Sequence, residues 1–339
     1  MSSIKEVALK AGVSVATVSR VFSHPERVRP ELRQKVLDVV EELGYRPNRI
    51  ASSLRKLQSR TIGVLVSDIR NPYFTAITRA IEDIANAKEM SVFLCNTDED
   101  PAKEQLYLKT LLDENVAGII VSPTQESLKA YQPFVNSGTP LVIIDRRIEG
   151  ASVNCVVCDN IQTAYTLTSH LIENGYKKIA AILGLQNSST GRERLQGHKM
   201  ALSDHNIKFD PALVTFLPPR ETEAEEYLTR LLSTKSLPDA ILTGNSRLTI
   251  GALNALRAAN LTIPQDIALC GFDETVWTPH VGPGITVISQ PTYDIGATAG
   301  DLLFQAIDQA NRPTREVILK GHLIKRGSTL PRRSSTPTR

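Results

Sequence analysis

Apolar positions in the first 45 residues recur at helical spacing in three groups: Ile4, Val7, Ala8 and Ala11; Val18 and Val21; then Leu32, Val36, Val39, Val40 and Leu43. Gly12 supplies a permissive backbone where the first helix must stop, and Ser14 offers a hydroxyl to cap the next. Pro30 suits the first turn of a third helix, which Gly44 ends. With Val18 and Val21 inward, the second helix turns Val15, Ala16, Thr17, Ser19 and Arg20 outward.

From residue 61 the pattern changes to short apolar runs separated by helical stretches. Runs at 62–67, 91–96, 118–121 and 141–144 predict strands, with helices at 73–87, 101–114 and 126–137 between them. A second series follows, with strands at 178–183, 213–216, 240–242 and 267–270 and helices at 163–174, 192–205, 221–233 and 246–260. Short apolar strands alternating with helices predict parallel sheets covered on both faces, and two such series predict two lobes.

Charge sharpens this division. Residues 1–60 carry 12 Lys and Arg against 6 Asp and Glu, whereas the remainder carries 27 against 30. A basic head on a mildly acidic body fits a head that meets phosphates. The outward face of the second helix suits a DNA major groove. Small side chains permit close approach, hydroxyls reach phosphates, and Arg20 can fork onto guanine. The segment YRPNRIASSLRKLQSRT adds a short basic helix whose apolar side is Ile50, Ala51 and Leu54, with Leu54 suited to wedge between base pairs in the minor groove.

The motifs KEVALKAGVSVATVSRVF, ELGYRPN, the A-x-x-L of Ala51 to Leu54, and TIGVLVSDIRNPYF together resemble the LacI/GalR (lactose-repressor/galactose-repressor) family of bacterial transcription regulators, from residue 4 to about residue 329. The resemblance implies an all-α helix-turn-helix head plus hinge helix, joined to a two-lobed α/β periplasmic-binding-protein-like body. It places phosphate contacts at Ser14, Thr17, Ser19 and Asn48, base reading at Val15, Ala16 and Arg20, and the wedge at Leu54. The expected divisions are a head at 1–45, a hinge at 46–60, and a body at 61–329. Within the body one lobe takes 61–160 plus 290–329 and the other 161–289, and a disordered basic tail ends the chain at 330–339. The implied partners are a double-stranded DNA operator, a small-molecule effector and a second copy of the chain in a homodimer.

Open parallel sheets hold ligands at the carboxyl ends of their strands. The polar residues there are Asp68 to Phe74, Ser122 to Thr124 and Asp145 to Arg147 in one series, with the loop before Arg192 and Arg194, then Asn245 and Asp273 in the other. By resemblance, Tyr73, Phe74, Thr124, Asp145, Arg146, Arg194, Asn245, Asp273 and Gln290 match effector-contacting positions. Arg146 and Arg194 reaching one cleft would call for an anionic effector, whereas neutralisation by Asp145 and Asp273 would suit a neutral sugar. CNTDEDPAKEQ, VIIDRR, GPGITVISQP and LIKRGST resemble the branch that senses sugar acids such as ketogluconates. Ser246 stands where many members carry Asp.

No P-loop, dinucleotide fingerprint, HExxH or nucleophile elbow occurs, so neither an enzyme nor a cofactor is expected. The chain shows no apolar leader or bilayer-length apolar run, which argues for a cytoplasmic protein over an exported solute-binding one. Cys155 and Cys158 fall on one strand, three residues apart and so on opposite faces, which suits buried thiols better than a metal site.

Overall fold

The computed structural model describes residues 3–23, 25–45, 59–234, 236–309 and 312–332. The chain divides into two compact units, Met1–Ser59 and Arg60–Arg339. The first holds α1 (Ile4–Ala11), α2 (Val15–Ser23) and α3 (Pro30–Glu42). Ser3 and Glu6 form a reciprocal capping box that starts α1, and Gly12 ends it with a left-handed φ of 62°, a conformation that costs a side-chain-bearing residue energy. Ser14 Oγ accepts the Thr17 N–H at 3.1 Å and so caps α2. Val7, Ala8, Ala11, Val18, Val21, Val36 and Val39 make the core shared by the three helices. Leu32, expected in the α3 stripe, is 37% exposed, and Leu37 packs against the core in its place. The expected hinge helix, with Asn48, Ala51 and Leu54, lies outside the described residues.

The second unit contains two six-stranded sheets. One is built from β1 (Thr61–Val66), β2 (Ser91–Asn96), β3 (Ile119–Val121), β4 (Leu141–Ile144), β5 (Asn154–Cys158) and β11 (Glu316–Leu319), in the order β11-β5-β4-β3-β1-β2. The other takes β6 (Ile179–Leu183), β7 (Val214–Phe216), β8 (Ala240–Thr243), β9 (Ala268–Phe272), β10 (Thr286–Ser289) and β12 (His322–Ile324), in the matching order β12-β10-β9-β8-β6-β7. Every described pairing is parallel except β10 with β12. The central strands are buried along their length apart from half-buried Thr61 at the start of β1, as both-face coverage by helices requires.

Helices α4 (Pro72–Ala87), α5 (Pro101–Asp113), α6 (Gln132–Ser137) and α11 (Thr292–Asp308) belong to the first lobe. The second lobe takes α7 (Asn160–Glu173), α8 (Ser189–Asp204), α9 (Glu221–Leu232) and α10 (Ser246–Ala258). Within each lobe, close helix pairs meet through glycine. A Cβ on Gly197 of α8 would lie 2.1 Å from the Ile161 carbonyl oxygen of α7, and one on Gly296 of α11 would lie 2.4 Å from that of Ile77 in α4.

Two expectations are corrected. The stretch 126–137 is a 3₁₀ turn, Leu128–Tyr131, followed by the short α6, because Pro133 at its start brings no N–H to continue one helix. Only part of 290–329 stays in the first lobe. After β11 the chain recrosses, β12 pairs antiparallel with β10, and Ser328 Oγ donates to the Leu269 carbonyl at 2.5 Å, fixing the C-terminal segment on the second lobe.

Candidate functional site

In the head, the outward face of α2 is as the spacing requires. Ser14, Ala16 and Arg20 are exposed, Val15, Thr17 and Ser19 are half-buried, and Val18 and Val21 are in the core. The Ser14 and Thr17 hydroxyls lie 2.9 Å apart at the helix start. The result is a small, hydroxylated, cationic surface on a helix whose N-terminus carries a positive partial charge, able to meet phosphates and base edges together.

In the body, the strand ends converge on a cleft between the lobes. Its walls include Tyr73, Phe74, Asp145 and Arg146 from the first lobe and Arg194, Asn245 and Asp273 from the second, with Gln290 on the crossing segment. Thr124 is the exception among the nine expected effector-contacting residues, and the strand-end residues Ser122, Arg147 and Arg192 also lie off the cleft wall. The Thr124 backbone N–H donates to Glu104 at 2.7 Å, inside a buried group that Tyr131 Oη completes, and Thr124 does not line the cleft. Tyr73 and Phe74 are both core and wall. Their rings meet edge to face at 5.0 Å, and each is 5% exposed.

Asp145 and Asp273 occupy corresponding places, each directly after the third strand of its sheet's order, and both are left-handed, with φ of 68° and 75°. Each is held there through its backbone, Asp145 N to Val156 O at 3.2 Å and Asp273 N to Ile288 O at 2.9 Å. Such strain is kept only where the surrounding structure enforces it. Burial pushes both carboxyls above the ordinary aspartate value, offset in part by Arg146 and Arg194 for Asp145, and by Arg194, Gln290 and the Ser246 N–H for Asp273.

The two arginines are already engaged, by partners the sequence did not indicate. Arg146 is bidentate on Glu99, at 2.5 and 2.7 Å, and also reaches the Pro123 carbonyl at 3.0 Å, with Asp145 Oδ2 at 3.4 Å from its Nε. Arg194 donates to Asn160 Oδ1 at 2.9 Å and to the Gly244 carbonyl, and its guanidinium stacks 3.9 Å from the Phe272 ring centroid. The cleft walls thus hold four carboxylates, Asp68, Glu99, Asp145 and Asp273, against the two guanidiniums. Three wall atoms are buried without a hydrogen-bond partner, Arg146 Nε, Tyr73 Oη and Gln290 Oε1, the first a donor and the last an acceptor. Burial, with Asp145 among the further causes, pushes the Tyr73 phenol up, so it is held as O–H.

Glu99 also lines the cleft and was not singled out, whereas Asn71 belongs to the Asp68–Phe74 stretch and Ser188, Thr190 and Gly191 to the loop expected before Arg192. The strand-end rule applied to β2 reaches Glu99, three residues past its last residue. Ser246 bridges the lobes, its hydroxyl donating to Asn71 Oδ1 at 3.2 Å while its backbone N–H donates to Asp273. Trp277 does not border this cleft and packs on the second lobe's surface beside Ile285 and Ile263. Among the described residues no acidic, histidine and cysteine group could hold a metal ion, and no helix is long and apolar enough to cross a membrane.

Comparison with known proteins covers both units. Residues 3–48 match the family of bacterial regulatory proteins of the lacI type, and residues 59–327 match the periplasmic binding proteins and sugar-binding domain of that family. The transcriptional regulator RegA of Clostridium saccharobutylicum is 33% identical over 330 residues, covering 97% of this chain and 99% of its own. A lac repressor dimer bound to operator and an anti-inducer aligns with a TM-score of 0.84 at 26% identity, over 97% of this chain and 99% of that one. A complex of the regulator CelR with cellobiose aligns at 0.74 and 27%, over 97% and 100%. Hydroxylated helix face, hydrogen-bonding cleft and matched length agree: the chain belongs to the LacI family of DNA-binding transcriptional regulators and is not an enzyme.

Proposed function

We propose that the chain is a repressor that binds a pseudo-palindromic operator as a homodimer in the cytoplasm, with a neutral sugar in the interlobe cleft as effector. The observation that carries the effector class is the engagement of both cleft guanidiniums by protein partners, Arg146 through its two terminal nitrogens, while Tyr73 Oη, Gln290 Oε1 and Arg146 Nε stay unpartnered. A neutral polyol supplies hydroxyls to these orphan atoms and to Asp145 and Asp273, and its apolar face suits the Phe74 and Tyr73 rings. A sugar acid would bring a further negative charge into walls where carboxylates already outnumber cations. The ketogluconate-type effector therefore loses the argument that two free arginines would have given it. Tyr73, Phe74, Asp145, Arg146, Arg194, Asn245, Asp273 and Gln290 are the proposed effector-contacting set.

On the DNA side, Ser14, Thr17 and Ser19 are assigned to phosphates and Val15, Ala16 and Arg20 to bases, with Asn48, Ala51 and Leu54 in the hinge. Dimerisation is supported by β2, the outer strand of its sheet, where Phe93 and Leu94 are 45% and 47% exposed. A bare apolar sheet edge is a hazard that a partner copy removes. The test is fluorescence anisotropy of the full chain on promoter fragments at several salt concentrations, with and without D-ribose, cellobiose, D-glucose and D-gluconate. Specific retention that a neutral sugar alters supports the reading; indifference to DNA at every salt concentration ends it.

A further inference from the structure

The first turn of α8 has two sides. Ser188, Thr190, Gly191 and Arg194 line the cleft, while Ser189, Arg192 and Glu193, interleaved with them, grip the other lobe. The Arg147 backbone N–H of the first lobe donates to Ser189 Oγ at 2.8 Å, and its guanidinium pairs with Glu193. In the reverse sense, Arg192 of α8 reaches Glu126 at 2.6 Å and Glu149 at 3.3 Å in the first lobe. None of Arg147, Arg192 and Glu193 lines the cleft.

The grip is connected to the cleft by one side chain. Glu193 accepts from Asn160 Nδ2 at 3.1 Å through its second oxygen, and Asn160 Oδ1 accepts from Arg194 Nε at 2.9 Å. Asn160 is 2% exposed and opens α7 just where the chain first passes from one lobe to the other. Its amide has a single workable orientation, since the oxygen must face a guanidinium and the nitrogen a carboxylate. The path Arg147–Glu193–Asn160–Arg194 therefore runs without a break from the first lobe to a cation in the cleft, with one neutral amide between charged groups so that each bond polarises the next.

We propose that Asn160 is a positioning residue that couples lobe closure to the orientation of Arg194, with Arg147 as the trigger on the facing lobe. Closure brings Arg147 onto Glu193, which aligns Asn160 and with it the Arg194 guanidinium over Phe272. Opening removes Arg147, and Glu193 is left with Asn160 Nδ2, which the Cys158 carbonyl at 3.2 Å also holds. An effector that favours the closed lobes then meets an oriented Arg194 without itself ordering that side chain. The importance of this for regulation rests on the cleft being the effector site; the coupling itself does not.

The test is therefore made on the full chain without a sugar, from ¹⁵N-arginine-labelled protein, following the Nε–H resonance of Arg194 assigned through Arg194→Lys. Asn160→Ala removes the acceptor and should move that resonance. Arg147→Ala, at a partly exposed position whose loss the fold can tolerate, should move it too, and Arg147→Lys should return it toward the wild-type position. Hydrogen exchange of amides 189–194 should rise about tenfold in Arg147→Ala, the change expected for one charge-assisted bond. An Arg194 signal that does not respond to Arg147→Ala overturns the coupling, whichever sugars prove to bind. Failure of every sugar to stabilise the protein overturns the effector reading and leaves this result standing.

Discussion

Replacing Glu99 by Gln keeps the shape of the cleft wall and removes one charge. The Arg146 guanidinium, whose side chain is 8% exposed, then retains Asp145 Oδ2 at 3.4 Å and the Pro123 carbonyl at 3.0 Å but loses its bidentate carboxylate. Removing one member of a buried pair costs about 3–5 kcal/mol, and the remaining Asp145 argues for the lower end, about 3 kcal/mol. For a unit of this size that is roughly 6–12 °C in melting temperature. The assay is thermal unfolding of wild type and Glu99→Gln, each alone and with D-glucose or D-gluconate. D-gluconate should stabilise the variant more than wild type, because its carboxylate can take the place of the lost one. At a hundredfold excess over its dissociation constant it would return about 2.7 kcal/mol, most of the deficit. A variant that melts with wild type would refute the dependence of Arg146 on Glu99. Stronger stabilisation of wild type by D-gluconate would refute the neutral-effector argument.

Three further outcomes are expected. Arg20→Ala should relax base preference at one operator position by about 1–3 kcal/mol, read from binding to a library of single-base variants; an unchanged preference removes Arg20 from base reading. His198 is 1% exposed, bonds Thr168 Oγ1 at 3.1 Å, and is pushed down to about 4 by burial and then by Lys199. Its depressed value means stability present above the free histidine value of 6.5 and lost as pH falls through about 4, in total about 3 kcal/mol. The raised carboxyls of Asp145 and Asp273 act in the opposite sense, so the comparison is between wild type and His198→Gln, and denaturant melts from pH 7 to 4 should be flatter in the variant. Gly197→Ala should destabilise the second lobe by about 1–3 kcal/mol through the 2.1 Å approach to the Ile161 oxygen, seen as a lower denaturation midpoint.

Local patterns were enough for most elements up to residue 272 and for the α2 surface, whereas β10, α11, β11 and β12 were not read from them. Val18 and Val21 at helical spacing leave only one face outward, and a 3.6-residue period admits no other arrangement once three such helices share a core. The two series of apolar strands likewise specified two parallel sheets, and the strand-end rule named Asp145, Arg146, Arg194, Asn245 and Asp273. What spacing could not supply was pairing between distant segments. β12 joins the second lobe because β10 has an edge to offer it, and nothing in His322–Ile324 says which sheet it will complete. Thr124 satisfies the strand-end rule yet turns to a buried Glu104, a partner twenty residues earlier on another element. The state of the cleft arginines was decided in the same way. As sequence, Arg146 and Arg194 are two cations, and only the fold brings Glu99 to one and Asn160, Gly244 and Phe272 to the other, because charge balance in a cleft depends on distances that no local pattern encodes.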